Sequence, residues 1–195
     1  MIREGDRSVI SIDDAKVLAR SFVNVTGDWQ GACNSPFFLV FDDSLTEAAV
    51  ELQLSLILEA SEKSVLDPKD RWSQCYKRSV SESLASYLAT DIEILKRGRF
   101  ATFVRSEQFN GKFIEFRTDF SNFHNVFFVL RRSQFRELVA RSESVRLQTL
   151  GIDMCNSKPI SDVTSLRTTS VAQMLQFDMV WEGIDFARTM LRWVI

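Results

Sequence analysis

Residues 99–131 decide the fold, and they read RFATFVRSEQFNGKFIEFRTDFSNFHNVFFVLR. Asn110-Gly111 separates two runs of β-forming residues, Arg99 to Phe109 and Lys112 to Thr118, and Asn-Gly is the strongest short-range signal for a hairpin. Asn125 to Arg131 predicts a third strand, apolar on both faces and therefore central in a sheet or covered by two layers. We expect an antiparallel β-meander of three to four strands.

Helical patterns precede this stretch. Ser11 begins one helix, and the capping box Ser44-Leu45-Thr46-Glu47 begins a second, in which Asp43 or Ser44 caps the free N–H groups. Phe37 to Phe41 is a continuous apolar run between them and predicts a short buried strand. Lys69 to Leu95 is the third helical region.

Helical patterns also follow the predicted strands. Ser133 begins a helix for which Gly151 is the C-terminal glycine, and Thr169 to Ile195 is predicted to be helical to the end of the sequence. The helices and strands together predict an α+β protein, in which several helices pack against the meander. With 195 residues and little glycine or proline for linkers, residues 1–195 are expected to form a single globular domain.

Composition restricts the compartment and the cofactors. Three cysteines lie far apart without a C-x-x-C pair, so neither a disulfide framework nor a zinc site is predicted. Residues 1–7 lack the apolar core of a secretory leader, and no apolar run is long enough to cross a bilayer. We therefore expect a cytoplasmic protein with no membrane partner, no metal and no cofactor.

Three groups of residues are candidates for chemistry, and each has a simpler structural interpretation. His124 is the only histidine and has no nucleophile motif beside it, which favours a structural loop residue. Asp42-Asp43 follows an apolar strand and could hold Mg²⁺, although capping of the next helix accounts for both acids. Glu115-Phe116-Arg117 is a poor match to the Glu-x-Lys pattern of some nucleases, and an ordinary cross-strand ion pair of Glu115 with an arginine is the simpler interpretation. The sequence thus favours a protein without catalytic activity, and an enzyme that uses carboxylates alone stays open.

Charge is unevenly distributed along the chain. Residues 1–95 contain nine Lys and Arg against sixteen Asp and Glu, whereas residues 96–148 contain eleven against five, together with most of the phenylalanines. This basic, aromatic segment could bind nucleic acid or an acidic protein, or it could pair with the acidic helices of the same chain. The candidate binding residues are Arg97, Arg99, Arg105, Lys112, Arg117, Arg131 and Arg132.

The C-terminal segment is apolar enough to suggest an interface. Its candidate contact residues are Trp181, Met190, Trp193, Val194 and Ile195, which could join copies of the chain into a homo-oligomer through the predicted last helix. The preferred hypothesis is a non-enzymatic regulator, inhibitor or adaptor that acts by docking to a protein partner. The alternative is a nucleic-acid-binding protein, with or without nuclease activity, that uses the basic Phe-rich segment 96–136.

Overall fold

The computed structural model describes ten segments of the chain. They are residues 2–3, 11–25, 38–64, 68–88, 91–106, 125–141, 149–152, 167–171, 180–181 and 184–185. The predicted hairpin turn at Asn110-Gly111 and the strand Lys112 to Thr118 lie outside these segments.

Four helices occur in the described segments. They are α1 (Ile12–Val25), α2 (Glu47–Ser64), α3 (Pro68–Leu88) and α4 (Arg132–Arg141). The apolar stripe of α1 is buried, as the helical spacing of Ala15, Leu18 and Phe22 predicts. None of the described helices combines the length and the apolar character that a membrane span requires.

Nine strands are described, and seven of them form one sheet. They are β1 (Ile2–Arg3), β2 (Phe38–Phe41), β3 (Ile92–Arg97), β4 (Thr102–Ser106), β5 (Val126–Arg131), β6 (Thr149–Ile152), β7 (Arg167–Ser170), β8 (Val180–Trp181) and β9 (Ile184–Asp185). The strand order in the large sheet is β3-β4-β5-β2-β1-β6-β7, while β8 and β9 form a separate pair. The β3–β4 pair is antiparallel, and the other described pairings in the large sheet are parallel.

Helices cover both faces of the sheet. Because side chains alternate along a strand, Phe127 and Val129 of β5 face one side and Phe128 faces the other. The first side packs with α1 and α2, where the edge-to-face rings of Phe22 and Phe127 lie 5.1 Å apart. On the other side Phe38 lies 6.1 Å from Phe128 and 6.3 Å from Phe135 of α4, measured between ring centroids.

The prediction of helices packed against a sheet is confirmed, but the antiparallel meander is wrong because the sheet is mixed. β4 pairs with β5 in parallel, and β5 pairs with β2 in parallel through the register Leu39 with Val129. β2 and β5 lie far apart in the sequence, so no local turn signal reveals their pairing. The prediction that β5 is covered on both faces is confirmed, since Val126 to Leu130 are all buried.

Three predictions about helices are also wrong. The helical region expected to reach Leu95 ends at Leu88, because Ile92 to Arg97 pairs with β4 and tertiary pairing overrides helix propensity. Gly151 lies inside β6 rather than at a helix end. In the predicted C-terminal helix, the described residues from 169 to 185, other than Val171, are extended strand in β7, β8 and β9.

The start of α2 differs from the predicted capping box. Its first residue is Glu47, and the hydroxyl of Thr46 accepts a hydrogen bond from the backbone N–H of Ala49 at 3.2 Å. Thr46 is therefore the N-cap residue. Ser44 and Asp43, which were expected to cap this helix, are available for other contacts at the end of β2.

Candidate functional site

The carboxyl ends of β2 and β5 meet at one edge of the sheet, because the two strands are parallel and Phe41 pairs with Arg131. This edge is where open sheets with parallel strands commonly bind ligands. Asp42 and Asp43 follow β2, and Arg132 follows β5. The structure thus brings the predicted acidic pair together with two of the predicted basic residues.

Asp42 is held by its neighbours in the turn. Its Oδ1 atom accepts hydrogen bonds from the Ser44 hydroxyl at 2.7 Å and the Ser44 backbone N–H at 3.0 Å, and Oδ2 lies 3.6 Å from Nη1 of Arg132. Partial burial raises the pKa of Asp42, but the Ser44 hydrogen bonds and the Arg132 charge outweigh it and hold the pKa below its ordinary value. Asp42 is therefore ionised at neutral pH and already engaged.

Asp43 caps a helix, although not the predicted one. Its carboxylate accepts hydrogen bonds from the hydroxyl of Ser133 at 2.8 Å and from the backbone N–H of Ser133 at 3.2 Å. Ser133 is the second residue of α4, so its N–H is one of those that have no partner within the helix. Asp43 thereby links the end of β2 to the start of α4.

Glu47 joins two of the predicted basic residues. Its carboxylate accepts from Nη2 of Arg105 at 2.9 Å and from Nη2 of Arg131 at 2.5 Å. These two hydrogen bonds hold the pKa of Glu47 below its ordinary value. Arg131 also donates through Nη1 to the backbone oxygens of Asp42 at 3.1 Å and Leu45 at 2.9 Å.

This edge of the sheet is an internal ion-pair cluster. Arg105, Arg131 and Arg132 each pair with an acid of the first half of the chain, as one of the three interpretations of the basic segment predicted. The acids that could hold Mg²⁺ accept hydrogen bonds from the protein itself. Within the described segments, no three His, Cys, Asp or Glu side chains form a group suited to a metal ion.

The inner face of α3 carries a second polar cluster. Glu82 accepts from Nη1 of Arg78 at 2.6 Å and from the hydroxyl of Thr102 at 3.0 Å, and it also binds Arg97 of β3. Arg78 donates in addition to the Thr102 hydroxyl at 2.9 Å. Because Thr102 precedes the core residue Phe103 on β4, α3 lies on the face of the sheet opposite α1 and α2.

The outer face of α3 exposes large side chains to solvent. Trp72 is 82% exposed, Tyr76 is 72% exposed and Val80 is 48% exposed. The three are four residues apart, so they follow one another along a single face of the helix. Sequence analysis missed this face, because the spacing alone does not say whether an apolar stripe points toward the core or toward water.

A basic turn lies against the helix that carries the two aromatic side chains. The turn between β3 and β4 is closed by a hydrogen bond from the Gly98 N–H to the carbonyl of Ala101 at 2.8 Å. The thiol of Cys75 on α3 donates to the carbonyl oxygen of Arg99 at 3.4 Å, which places this turn against the helix. The side chains of Arg99 and Lys77 are exposed. We call Trp72, Tyr76, Lys77 and Arg99 the α3 surface.

The other predicted site residues divide between these places and the undescribed parts of the chain. Arg97 is the last residue of β3, and Arg99 lies in the turn beside α3. Trp181 lies in β8, but its side chain is outside the description. The predicted residues that lie wholly outside the described segments are Lys112, Glu115, Arg117, His124, Met190, Trp193, Val194 and Ile195.

No protein-family model matches the chain, and no curated protein matches it. A function for the chain is therefore proposed from the chemistry and placement of its side chains.

Proposed function

We propose that this chain is a nucleic-acid-binding protein that acts by docking rather than by catalysis, through the α3 surface. The observation that carries the proposal is the exposure of Trp72 and Tyr76 beside Lys77 and Arg99. Aromatic side chains stack on bases and cations attract phosphates, and this combination is typical of proteins that bind nucleic acid without cutting it.

The charge at the α3 surface supports an anionic partner. Glu82 is shared by Arg78 and Arg97, so this cluster keeps one surplus positive charge. Lys77 and Arg99 add two further exposed cations close to it. The chain as a whole has a net charge of −2, so a cationic region of this kind is local to one part of the surface. A local cationic region can steer an approaching polyanion toward it.

The proposal keeps the nucleic-acid hypothesis but moves it away from the sheet. Phe103, Phe127 and Phe128 are buried in the packing between sheet and helices, so they cannot stack on a base. Arg105 and Arg131 are paired with Glu47. Within the described segments, the exposed aromatic side chains are those of Trp72 and Tyr76, which belong to the α3 surface.

The composition of the outer face of α3 favours nucleic acid over protein. Ser73, Lys77 and Ser83 are exposed along the same helix as the two aromatic residues. Serine and lysine are depleted in protein–protein interfaces, whereas both commonly donate hydrogen bonds to phosphate oxygens.

Protein docking, the hypothesis preferred from the sequence, remains the second candidate. It is favoured by two exposed aliphatic side chains that have no role in base stacking, Val80 on α3 and Ile94 on β3, which are 48% and 38% exposed. A second copy placed about a two-fold axis at Tyr76 would bring Lys77 close to its own symmetry mate. The charges therefore favour an acidic protein over self-association as the protein partner.

Fluorescence anisotropy tests the proposal directly. Labelled single- and double-stranded DNA and RNA are titrated with the protein at about 50 mM and about 150 mM salt, since phosphate contacts lose affinity as salt rises. We expect measurable binding at low salt that weakens steeply at higher salt. The double variant Lys77→Glu, Arg99→Glu should reduce the affinity at least tenfold.

Lys16→Glu, Arg20→Glu is the matched control, because Lys16 and Arg20 are exposed cations on α1 and therefore lie on the opposite side of the sheet. This variant makes the same change in charge and should leave affinity close to that of the unchanged protein. Absence of binding to all four nucleic acids at low salt would contradict the proposal. Equal losses in the control and the double variant would contradict the assignment to the α3 surface.

A further inference from the structure

From the geometry of the α3 surface we infer that the nucleic acid bound is single-stranded, and that two successive bases stack on Trp72 and Tyr76. This inference rests on the proposed function and names its substrate class. It assigns stacking to the two aromatic residues and phosphate contact to Lys77 and Arg99.

The spacing of the two aromatic side chains suits neighbouring bases. Trp72 and Tyr76 are four residues apart on a helix, which separates their Cα atoms by about 6 Å along the helix axis. Both are more than 70% exposed, so their ring faces are accessible from solvent. An unpaired base can turn its face to each ring, whereas the bases inside a duplex already stack on one another.

The cations lie at the same level of the helix as the rings. Cys75, whose thiol donates to the Arg99 carbonyl at 3.4 Å, directly precedes Tyr76 in the sequence. Successive residues of a helix point about 100° apart, so Lys77 lies on one side of the Tyr76 ring and Cys75, with the turn that carries Arg99, lies on the other. A strand that stacks its bases on the two rings can therefore direct its phosphates toward a cation on either side of the helix.

Contacts on the inner face hold this arrangement in place. Arg78, Glu82 and Thr102 connect α3 to β4, and the Arg97 pair connects it to β3. The helix that carries the rings and the turn that carries Arg99 are thus fixed to the same pair of strands. Such fixed placement lowers the entropy that must be lost when a ligand binds.

The outward side chains also argue against reading of a duplex. Recognition in the major groove relies on Arg, Lys, Asn or Gln side chains that meet the edges of base pairs. Among the described side chains of α3, the large ones that face outward are Trp72, Tyr76, Lys77 and Val80, and only Lys77 is of this kind. Because every base has a face on which an aromatic ring can stack, we expect weak sequence preference.

The test compares three ligands of about 12 nucleotides, a length within the range that single-strand sites cover. They are a thymine single strand, the same backbone without bases, and a duplex. We expect the thymine strand to bind best. One stacked base contributes roughly 5- to 150-fold in affinity, so removal of all the bases should weaken binding by more than the loss of either stacked base alone. Retained binding by the abasic strand reports the phosphate contacts alone.

Three variants separate stacking from other effects. Trp72→Ala and Tyr76→Ala should each weaken binding of the thymine strand by roughly 5- to 150-fold, the loss of one stacked base, and should leave binding of the abasic strand unaffected. Trp72→Phe should retain most of the affinity for the thymine strand. Val80→Ala is the matched control, because it shortens an exposed side chain of the same helix that has no aromatic ring. Val80→Ala should leave the affinities for the thymine strand and for the abasic strand unchanged.

The outcomes distinguish this inference from the proposed function. Binding of the duplex or of the abasic strand as tightly as the thymine strand would overturn the inference and leave nucleic-acid binding intact. Equal losses for the thymine and abasic strands in Trp72→Ala would also overturn it, because the residue would then act without stacking. Failure to bind any of the three ligands would overturn both.

Discussion

Glu82 of α3 binds Arg97 of β3, and this ion pair ties the inner face of a helix to the edge strand of the sheet. The side chain of Glu82 is only 13% exposed, and it also accepts from Arg78 one helical turn earlier. The contact of α3 with β3 and β4 therefore includes charged groups at a place where most helices bury apolar side chains. The apolar residues Trp72 and Val80 lie on its outer face instead.

Removal of the Glu82 carboxylate should destabilise the protein. In Glu82→Ala the largely buried Arg78 loses its counter-charge, and breaking such a pair from one side costs about 2–4 kcal/mol of unfolding free energy. Urea unfolding followed by circular dichroism measures this loss. Glu59→Ala is the control, because Glu59 pairs with Lys63 on the surface of α2, where solvent screens the pair and its loss changes stability little. Equal losses in both variants would show that the Glu82 cluster has no special role.

Stability should fall in acid because of the carboxylates at the ends of β2 and β5. Glu47 and Asp42 have pKa values below their ordinary 4.5 and 3.8, so the unfolded chain takes up protons at a higher pH than the folded one. Their contribution is complete above the ordinary values and is lost as the pH falls through the lowered ones. Unfolding free energy should therefore decrease as the pH falls below about 4.5.

Glu47→Gln isolates the share of one carboxylate. At neutral pH the variant should be less stable by about 1 kcal/mol or less, because Glu47 is 61% exposed and solvent screens its two ion pairs. The difference should shrink as the pH falls below about 4.5 and through the lowered pKa of Glu47, because the original side chain then also becomes protonated. Urea unfolding at a series of pH values measures it. A difference that stays constant with pH would contradict this account.

The core between the sheet and α1 is expected to be the most sensitive region. Phe127 packs edge-to-face with Phe22 at 5.1 Å and lies 5.6 Å from Phe103, and all three are buried. Phe127→Ala should lower the unfolding free energy by about 3–5 kcal/mol, the usual cost of removing a buried aromatic ring. Trp72→Ala on the outer face should cost less than about 0.5 kcal/mol in the same urea titration, because an exposed ring contributes little packing. A loss of similar size in both would place Trp72 in the core.

Local sequence patterns predicted some elements well and their arrangement poorly. The helices from Ser11 and from the Thr46 region and the strand 126–131 follow from periodicity and capping residues. The parallel pairing of β2 with β5 joins residues 90 positions apart, as in Leu39 with Val129, and no turn signal encodes it. β4 pairs antiparallel with β3, which precedes it, whereas the Asn-Gly dipeptide predicts a hairpin with residues that lie outside the described segments.

The candidate site was less predictable than the fold. Arg105 and Arg131 are basic residues in a Phe-rich segment by sequence, and only the structure shows that both pair with Glu47. On α3, Gln74, Arg78 and Glu82 share the same four-residue spacing as the exposed stripe, so periodicity alone leaves two ways to orient the helix. The hydrogen bonds of Arg78 and Glu82 with Thr102 settle the orientation, and they depend on long-range folding.

Ultraviolet cross-linking of a thymine single strand to the protein, with the attached peptides identified by mass spectrometry, tests the central claim most directly. The account predicts adducts on Trp72 or Tyr76 and their loss at higher salt, since stacking places a base in contact with these rings. Adducts confined to residues away from α3, with Trp72 and Tyr76 unmodified, would contradict the claim that the outer face of this helix is the binding surface.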